Sequence, residues 1–257
     1  MDFTESLTLT SNLNEKGRGL ELSELCVFNN KLYTADDRTG IIYELIKNEP
    51  IPWAILQDGD GKNKKGFKAE WMTVKDEKLY VGGVGKEFTT RTGEFLNNNP
   101  MFVKTITPGG EVKHLNWTQH YKNIRTKLGL KDPGYVMHEA AAWSNIKQRW
   151  FFLPRRMSAL KYDDELDENR GTNVLISVSS DFKDMKVIYV GELDVTHGFS
   201  SFKFIPDTDD NLVIALKTKE VGNDIQSYVT IFDVNTGHTV LQEHSIAKDK
   251  YEGIEFL

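Results

Sequence analysis

The chain has 257 residues, a net charge of −6 and a single cysteine. Acidic and basic residues are interspersed, which argues against a nucleic-acid-binding protein because such proteins normally carry a basic face. No apolar run approaches the roughly 18 residues of a membrane span. Cys26 has no partner for an intrachain disulfide, and its apolar neighbours predict a buried small hydrophobe. The length allows one large all-β domain or two smaller ones, and we predict a single domain over residues 1–257.

The first part of the chain predicts strands separated by polar turns. Residues 3–10 alternate loosely, and further strands are expected over 31–35, 41–45 and 51–56. The sequence Asp58-Gly59-Asp60-Gly61 opens like a calcium loop. An EF-hand needs an oxygen ligand at the fifth position and Glu at the twelfth, where this chain has Lys62 and Ala69. A glycine-rich turn and a loop over a metal–phosphate site remain as alternatives.

The middle of the chain adds one helix to the strand pattern. Strands are expected over 79–81 and 102–106, and the intervening Gly82–Lys86 lacks the spacing of a P-loop. Trp117, Tyr121, Ile124 and Leu128 follow helical spacing and predict a helix over 117–128. The following strands are expected over 150–153, 174–178 and 185–190, with a charged loop over 161–172.

The last third predicts strands over 212–216, 228–232 and 239–241, with a hairpin turn over 233–237. Five short segments then stand out as repeats, each carrying a Glu or Ser beside an apolar run. Their register positions are Ser23, Glu70, Glu139, Ser200 and Glu252. These lie about 47–69 residues apart, which fits four-stranded propeller blades with insertions. The sequence therefore predicts a five-bladed β-propeller whose fifth blade is about two strands short.

In a propeller the innermost strands face one channel, so these five oxygen-bearing residues would meet there. Three carboxylates on one axis repel each other unless a cation lies between them. With no His or Cys at the register positions, that cation would be a hard ion such as calcium. The alternative is that these side chains only satisfy strand ends or line a wet channel.

Charged residues that follow blade strands are candidates for the channel mouth. They are Asp36, Asp37, Arg38, Arg155 and Arg156. Arginine suits bidentate phosphate contacts, and a carboxylate beside a metal-bound phosphate can orient a water for attack. An ordinary turn ion pair is the alternative for residues 36–38. His138 and His197 adjoin register positions without metal-site spacing and are expected to be hydrogen-bonded core groups.

Several segments together resemble the calcium-activated nucleotidase (apyrase) family, and the resemblance runs from about residue 15 to residue 257. They include Glu21-Leu22-Ser23-Glu24-Leu25, Asp36-Asp37-Arg38-Thr39-Gly40, Gly66-Phe67-Lys68-Ala69-Glu70-Trp71, Trp150-Phe151-Phe152-Leu153-Pro154-Arg155-Arg156, His197-Gly198-Phe199-Ser200-Ser201-Phe202 and Tyr251-Glu252-Gly253-Ile254-Glu255-Phe256. The order of these segments along the chain is consistent with the family throughout.

The resemblance implies a five-bladed propeller with one axial Ca²⁺ that binds phosphate and activates water. Its calcium ligands would be Ser23 and Ser200, through their carbonyls, with Glu70, Glu139 and Glu252. The implied activity is hydrolysis of nucleoside di- and triphosphates. Asp37, with Asp36 beside it, would order the attacking water, and Arg38, Arg155 and Arg156 would contact substrate. The resemblance also implies a secreted or secretory-lumenal protein and is compatible with a homodimer.

One departure from the family pattern bears on activity. Family members carry an Ala-Asp-Leu-Asp-type strand ahead of this region, and residues 1–14 contain no such motif. The expectation is that this chain is a fragment of a longer protein. The competing function is a non-catalytic propeller that binds a partner. A lactone- or organophosphate-hydrolysing calcium propeller would want Asn and Asp ligands, so the Ser/Glu set argues against it.

Overall fold

The computed structural model describes residues 7–257. Their strands form four antiparallel sheets of four strands each and one separate two-stranded sheet. The strand predicted over residues 3–10 lies partly outside the described residues, and residues 7–10 carry no strand. Within residues 7–257, no helix combines the length and apolar character needed to cross a membrane.

The first sheet is a meander of four strands, β1 (Leu22–Phe28), β2 (Lys31–Asp36), β3 (Ile41–Ile46) and β4 (Glu49–Ile55). Two-residue loops join β1 to β2 and β3 to β4, at Asn29-Asn30 and Lys47-Asn48, and all four residues have φ between 50° and 67°. Two successive residues with positive φ form a type I′ turn, whose twist matches that of the flanking strands. The strands predicted for the first blade are confirmed.

The second sheet carries an insertion. Its chain order is β5 (Trp71–Lys75), β6 (Lys78–Gly82), the two-stranded insertion β7 (Phe88–Thr89) and β8 (Phe95–Asn97), a 3₁₀ turn (Asn99–Met101), β9 (Phe102–Ile106) and β10 (Val112–Asn116). Helix α1 (Thr118–Lys127) follows and confirms the predicted helix. It buries Tyr121 and Ile124, the residues at the predicted helical spacing.

The third sheet is β11 (Tyr135–Ser144), β12 (Arg149–Ser158), β13 (Val174–Ser179) and β14 (Met185–Tyr189). The charged stretch 161–172, expected as loop, contains the short helix α2 (Asp164–Asp167), because the Asp163 side chain accepts hydrogen bonds from the N–H groups of Glu165 and Leu166. The fourth sheet is β15 (His197–Phe204), β16 (Leu212–Val221), β17 (Asp224–Asp233) and β18 (Thr239–Ala247).

The apolar core lies between successive sheets, as expected for blades that pack face to face. Cys26 and Phe28 of the first sheet pack with Met72 and Leu79 of the second. Further clusters join the second sheet to the third around Trp71 and Trp150, and the third to the fourth around Phe151 and Phe202. The prediction that Cys26 is a buried small hydrophobe is confirmed.

The sheets are arranged so that their first strands are neighbours: β1 lies beside β5, β5 beside β11, and β11 beside β15. Residues 251–257 form no strand but lie between β15 and β1. The Ile254 N–H donates to Ser201 Oγ at 3.3 Å, and the Val27 N–H donates to Glu255 Oε2 at 2.9 Å. Glycine is required at position 253, because a Cβ there would lie 2.7 Å from the Leu25 nitrogen.

The described residues therefore form a four-bladed, propeller-like arrangement with the C-terminal segment between the fourth and first blades. The all-β class is confirmed. The prediction of five blades is not confirmed, since only four four-stranded sheets are present in residues 7–257.

Candidate metal and phosphate site

Three of the five register residues lie where the strand pairing shifts in register, each in the first strand of its sheet. The pairing of β1 with β2 shifts between Leu22 and Leu25, around Ser23. The pairing of β11 with β12 shifts around Glu139, and that of β15 with β16 shifts around Ser200. A β-bulge leaves a residue unpaired in the ladder and redirects its groups. Glu70 differs, because it precedes β5 directly and its N–H donates to the Gly82 carbonyl at 2.8 Å.

The three register glutamates line one cavity of about 720 Å³. Asp37 and Arg38, from the turn after β2, line the same cavity. Ser23 and Ser200 are buried. The Ser200 hydroxyl donates to the Tyr251 carbonyl at 3.0 Å, whereas Ser23 Oγ has no hydrogen-bond partner. The three carboxylates that the repeat pattern predicted to converge thus line the same cavity.

Each of the three register glutamates is paired with a different cation. Lys68 pairs with Glu70, and Lys250 Nζ lies 2.6 Å from Glu252. Arg155 Nη1 lies 2.9 Å from Glu139 Oε2, and its other terminal nitrogen is 3.0 Å from Glu220. Each of these carboxylates is therefore partly neutralised by an adjacent lysine or arginine.

Two of the three register glutamates, Glu70 and Glu252, have raised pKa values despite these cations. Burial raises the pKa of Glu70 to about 8, and the negative charges of Glu139 and Glu252 add to the effect of burial, which Lys68 only partly offsets. Burial also raises the pKa of Glu252, against the opposing charge of Lys250. For Glu139 the nearby cations, Arg155 first, outweigh burial and leave its pKa below the usual value. A further positive charge would stabilise this cavity.

Comparison with known proteins identifies the family. The sequence matches the model of the family Apyrase over residues 1–257.

The chain belongs to the apyrase family.

Among curated apyrase-family relatives, it is 54% identical to soluble calcium-activated nucleotidase 1 of Rattus norvegicus, over 97% of this chain and 62% of that protein. It is 47% identical to apyrase apy-1 of Caenorhabditis elegans, over 96% of this chain and 70% of the relative. It is also 47% identical to the apyrase of Cimex lectularius, over 94% and 66%. The chain thus spans about 62% of the length of the rat nucleotidase. The predicted resemblance is confirmed.

Among solved structures, an extracellular domain of a one-component system from B. thetaiotaomicron superposes with a TM-score of 0.43 at 12% identity, over 96% of this chain and 33% of that chain. That likeness is too low to inform the function.

The two aspartates predicted for catalysis in this apyrase-family chain have different surroundings. Asp36 is fully buried, and its carboxylate accepts hydrogen bonds from the backbone N–H groups of Leu20, Arg38 and Thr39 at 2.8–3.1 Å. These contacts fix the turn after β2. Asp37 lines the cavity, with its Oδ2 3.2 Å from Lys68 Nζ and its Oδ1 without a hydrogen-bond partner. Asp37 is therefore the one of the pair placed to act on a molecule in the cavity.

The three arginines also separate by position. Arg38 lines the cavity and pairs with Glu21 at 2.7 Å. Arg155 is buried and already contacts two carboxylates. Arg156 is buried, with Nη1 lacking a hydrogen-bond partner.

The two histidines next to register positions, His138 and His197, are both buried. His197 Nδ1 lies 2.7 Å from Glu243, while neither ring nitrogen of His138 has a hydrogen-bond partner.

Sequence reasoning missed the lysines of the cavity, although a signal was present. Lys68 and Lys250 each lie two residues before a register glutamate, Glu70 and Glu252 respectively. In extended chain, residues i and i+2 point to the same side, so each lysine follows its glutamate into the cavity. Glu139 has Met137 at that offset and takes its cation from the neighbouring strand β12 instead.

The residue types suit an oxygen-ligated cation, but no ligand cluster is assembled. Within residues 7–257, no group of three or more His, Cys, Asp or Glu residues is close enough to hold a metal ion. The fit to calcium rests on donor chemistry: three carboxylates face one cavity, and Ser23 Oγ is buried without a partner. Oxygen donors in a loose arrangement are the set that calcium takes.

Proposed function

We propose that this chain belongs to a calcium-dependent phosphohydrolase that acts on nucleoside di- and triphosphates. The observation that carries the proposal is that Glu70, Glu139, Glu252 and Asp37 line one cavity and that lysine and arginine side chains pair with them. The names of the apyrase and calcium-activated nucleotidase relatives agree with it. The cavity volume of about 720 Å³ lies within the usual range for small-molecule sites.

The three glutamates and the carbonyls of Ser23 and Ser200 would hold the calcium. Bound there, the ion would supply a Lewis acid for phosphate oxygens and lower the pKa of a bound water. Asp37, which lines the cavity, would accept the proton of the attacking water. As the water oxygen forms a bond to phosphorus, the anhydride P–O bond breaks, and the products are inorganic phosphate and the shorter nucleotide. Arg38 would position the phosphate chain from the cavity rim.

Further parts of the proposal follow from the family. A fifth blade would be completed around the segment 251–257, which already lies between β15 and β1. Secretion, and pairing of two copies, are proposed on the same ground. Arg155 and Arg156 would act on the substrate only from behind the glutamates, because both are buried.

The experiment that tests the proposal is phosphate release from UDP, GDP, ADP and ATP by the purified protein, in calcium and then in EGTA. We expect release that calcium supports and EGTA abolishes. Release that persists in EGTA would reject the calcium-dependent mechanism. No release from any nucleotide in calcium would favour the competing function, a propeller that binds a partner without catalysis.

A further inference from the structure

Lys68 lies between two carboxylates of the cavity, Asp37 and Glu70. Its ammonium pairs with Glu70 and lies 3.2 Å from Asp37 Oδ2. It therefore touches a predicted calcium ligand and the predicted water-orienting carboxylate at the same time. Within residues 7–257, no other side chain forms ion pairs with both Asp37 and a register glutamate.

The cations of the cavity differ in their freedom to change partners. The Arg155 side chain is only 5% exposed and is held by two carboxylates. Arg38 is held by Glu21 at 2.7 Å, and its Nε also lies 3.5 Å from Asp37 Oδ1. The Lys68 side chain is 42% exposed and carries its charge on a flexible four-carbon stem. The Lys68 ammonium can therefore shift between anionic partners more readily than the buried Arg155 guanidinium can.

A phosphate group that enters between Asp37 and Glu70 would contact this ammonium. A nucleotide phosphate presents several negative oxygens, and hydrolysis of the anhydride leaves charge on phosphate oxygens. A lysine held at that point compensates this charge as it develops. A calcium ion approaching Glu70, in contrast, would meet a competing positive charge.

We infer that Lys68 is an exchange cation: it neutralises Glu70 and Asp37 in the free protein and transfers its hydrogen bonds to the phosphate chain of the bound nucleotide. This inference rests on the proposed function. Lys68 forms no covalent bond and keeps its proton throughout. The proton of the attacking water goes to Asp37, and the electrons of the broken P–O bond stay with the leaving phosphate oxygen.

The inference predicts that the variant Lys68→Met binds calcium more tightly but hydrolyses nucleotide less efficiently. Removing a positive charge beside Glu70 should tighten calcium binding about three- to thirtyfold. Removing the phosphate contact should raise KM or lower kcat, so that kcat/KM falls about 10- to 100-fold, the usual size for a hydrogen bond to a charged group. Loss of structure would weaken both properties together.

The test combines calorimetry with kinetics. Calcium binding is measured by isothermal titration without nucleotide, and UDP hydrolysis is measured at saturating calcium. The variants are Lys68→Met, Lys68→Arg and the control Lys62→Met, whose side chain is 86% exposed. We expect Lys68→Arg to keep the wild-type calcium affinity and part of kcat/KM, and Lys62→Met to match the wild type in both.

The outcomes separate this inference from the proposed function. Calcium affinity that falls or stays unchanged in Lys68→Met would overturn the inference, even if the wild type hydrolyses UDP normally. Unchanged kcat/KM in that variant would overturn it as well. A wild-type protein that binds calcium but hydrolyses no nucleotide would reject the proposed function itself, while the calorimetric comparison would still show whether Lys68 competes with calcium.

Discussion

Ser201 Oγ donates a 2.7 Å hydrogen bond to Glu24 Oε1, across 177 residues of sequence. Both residues are buried, and each directly follows a register residue, Ser200 or Ser23. Ser201 Oγ also accepts the N–H of Ile254 at 3.3 Å. This pair therefore ties β1, β15 and the C-terminal segment together at the point where all three supply the predicted calcium ligands.

Replacing Ser201 by alanine should lower the free energy of unfolding by about 1–3 kcal/mol, because a buried carboxylate loses a donor and a buried N–H loses its acceptor. Urea denaturation in EGTA measures this. The control is Ser245→Ala, at an exposed position, which should change stability by less than about 0.5 kcal/mol. Equal stability of the two variants would show that the pair does not hold the ring segments together.

Substitutions of the two neighbouring aspartates should have different effects, one on catalysis and the other on stability. Asp37→Asn removes the carboxylate that faces the cavity and should lower kcat about 100-fold or more, with little change in stability. Asp36→Ala removes the acceptor of three buried backbone hydrogen bonds and should destabilise the protein by about 2–4 kcal/mol. Paired kinetic and denaturation measurements distinguish the two. Full activity of Asp37→Asn would exclude its assigned role.

The blade strands and the glutamate register were predictable because both follow from local pattern. Apolar runs between polar turns determine the strands, and a repeat of about one blade length brings equivalent positions to one axis. The helix over 117–128 was predictable for the same reason, since its apolar spacing is continuous. The resemblance to the apyrases added the assignment of calcium, which spacing alone left open.

The remaining features depend on contacts that spacing does not encode. The pairing of Glu139 with Arg155 joins neighbouring strands at an irregular register, so no fixed offset reveals it. Asp36 and Asp37 are adjacent, yet the Asp36 carboxylate accepts hydrogen bonds from backbone N–H groups, whereas Asp37 lines the cavity. The insertion of β7 and β8 consists of strands of two and three residues, too short for a periodic pattern.

Calcium should stabilise the folded protein through the glutamates. A ligand at 100 times its dissociation constant adds about 2.7 kcal/mol to the free energy of unfolding. We expect calcium to raise the melting temperature of the wild type but not of Glu139→Gln, which loses one carboxylate of the cavity. Glu111→Gln, at a side chain exposed to solvent, should respond like the wild type. A calcium response preserved in Glu139→Gln would remove Glu139 from the ligand set.

Lys104 makes stability depend on pH at a position outside the lining of the glutamate cavity. It is fully buried, with Nζ 3.0 Å from His114 Nδ1 and 4.7 Å from the centre of the Phe67 ring. Burial lowers the pKa of Lys104 to about 8, although Asp58 and Asp60 oppose the shift. The ordinary lysine pKa of 10.5 applies in the unfolded chain. Between pH 8 and 10.5 the unfolded state therefore binds the proton that the native state has released.

Stability linked to Lys104 consequently rises with pH across that window and is lost as pH falls through 8. The full effect is of the order of 3 kcal/mol. Lys104→Met lacks this pH-dependent contribution to the free energy of unfolding. Because the wild type gains stability between pH 7 and pH 10 and the variant does not, the stability of the variant relative to the wild type should decrease over that range. Urea denaturation at both pH values measures the change, and Lys78→Met, at an exposed position, should show none. A relative stability of Lys104→Met that is constant or rises between these pH values would show that Lys104 does not titrate in this window.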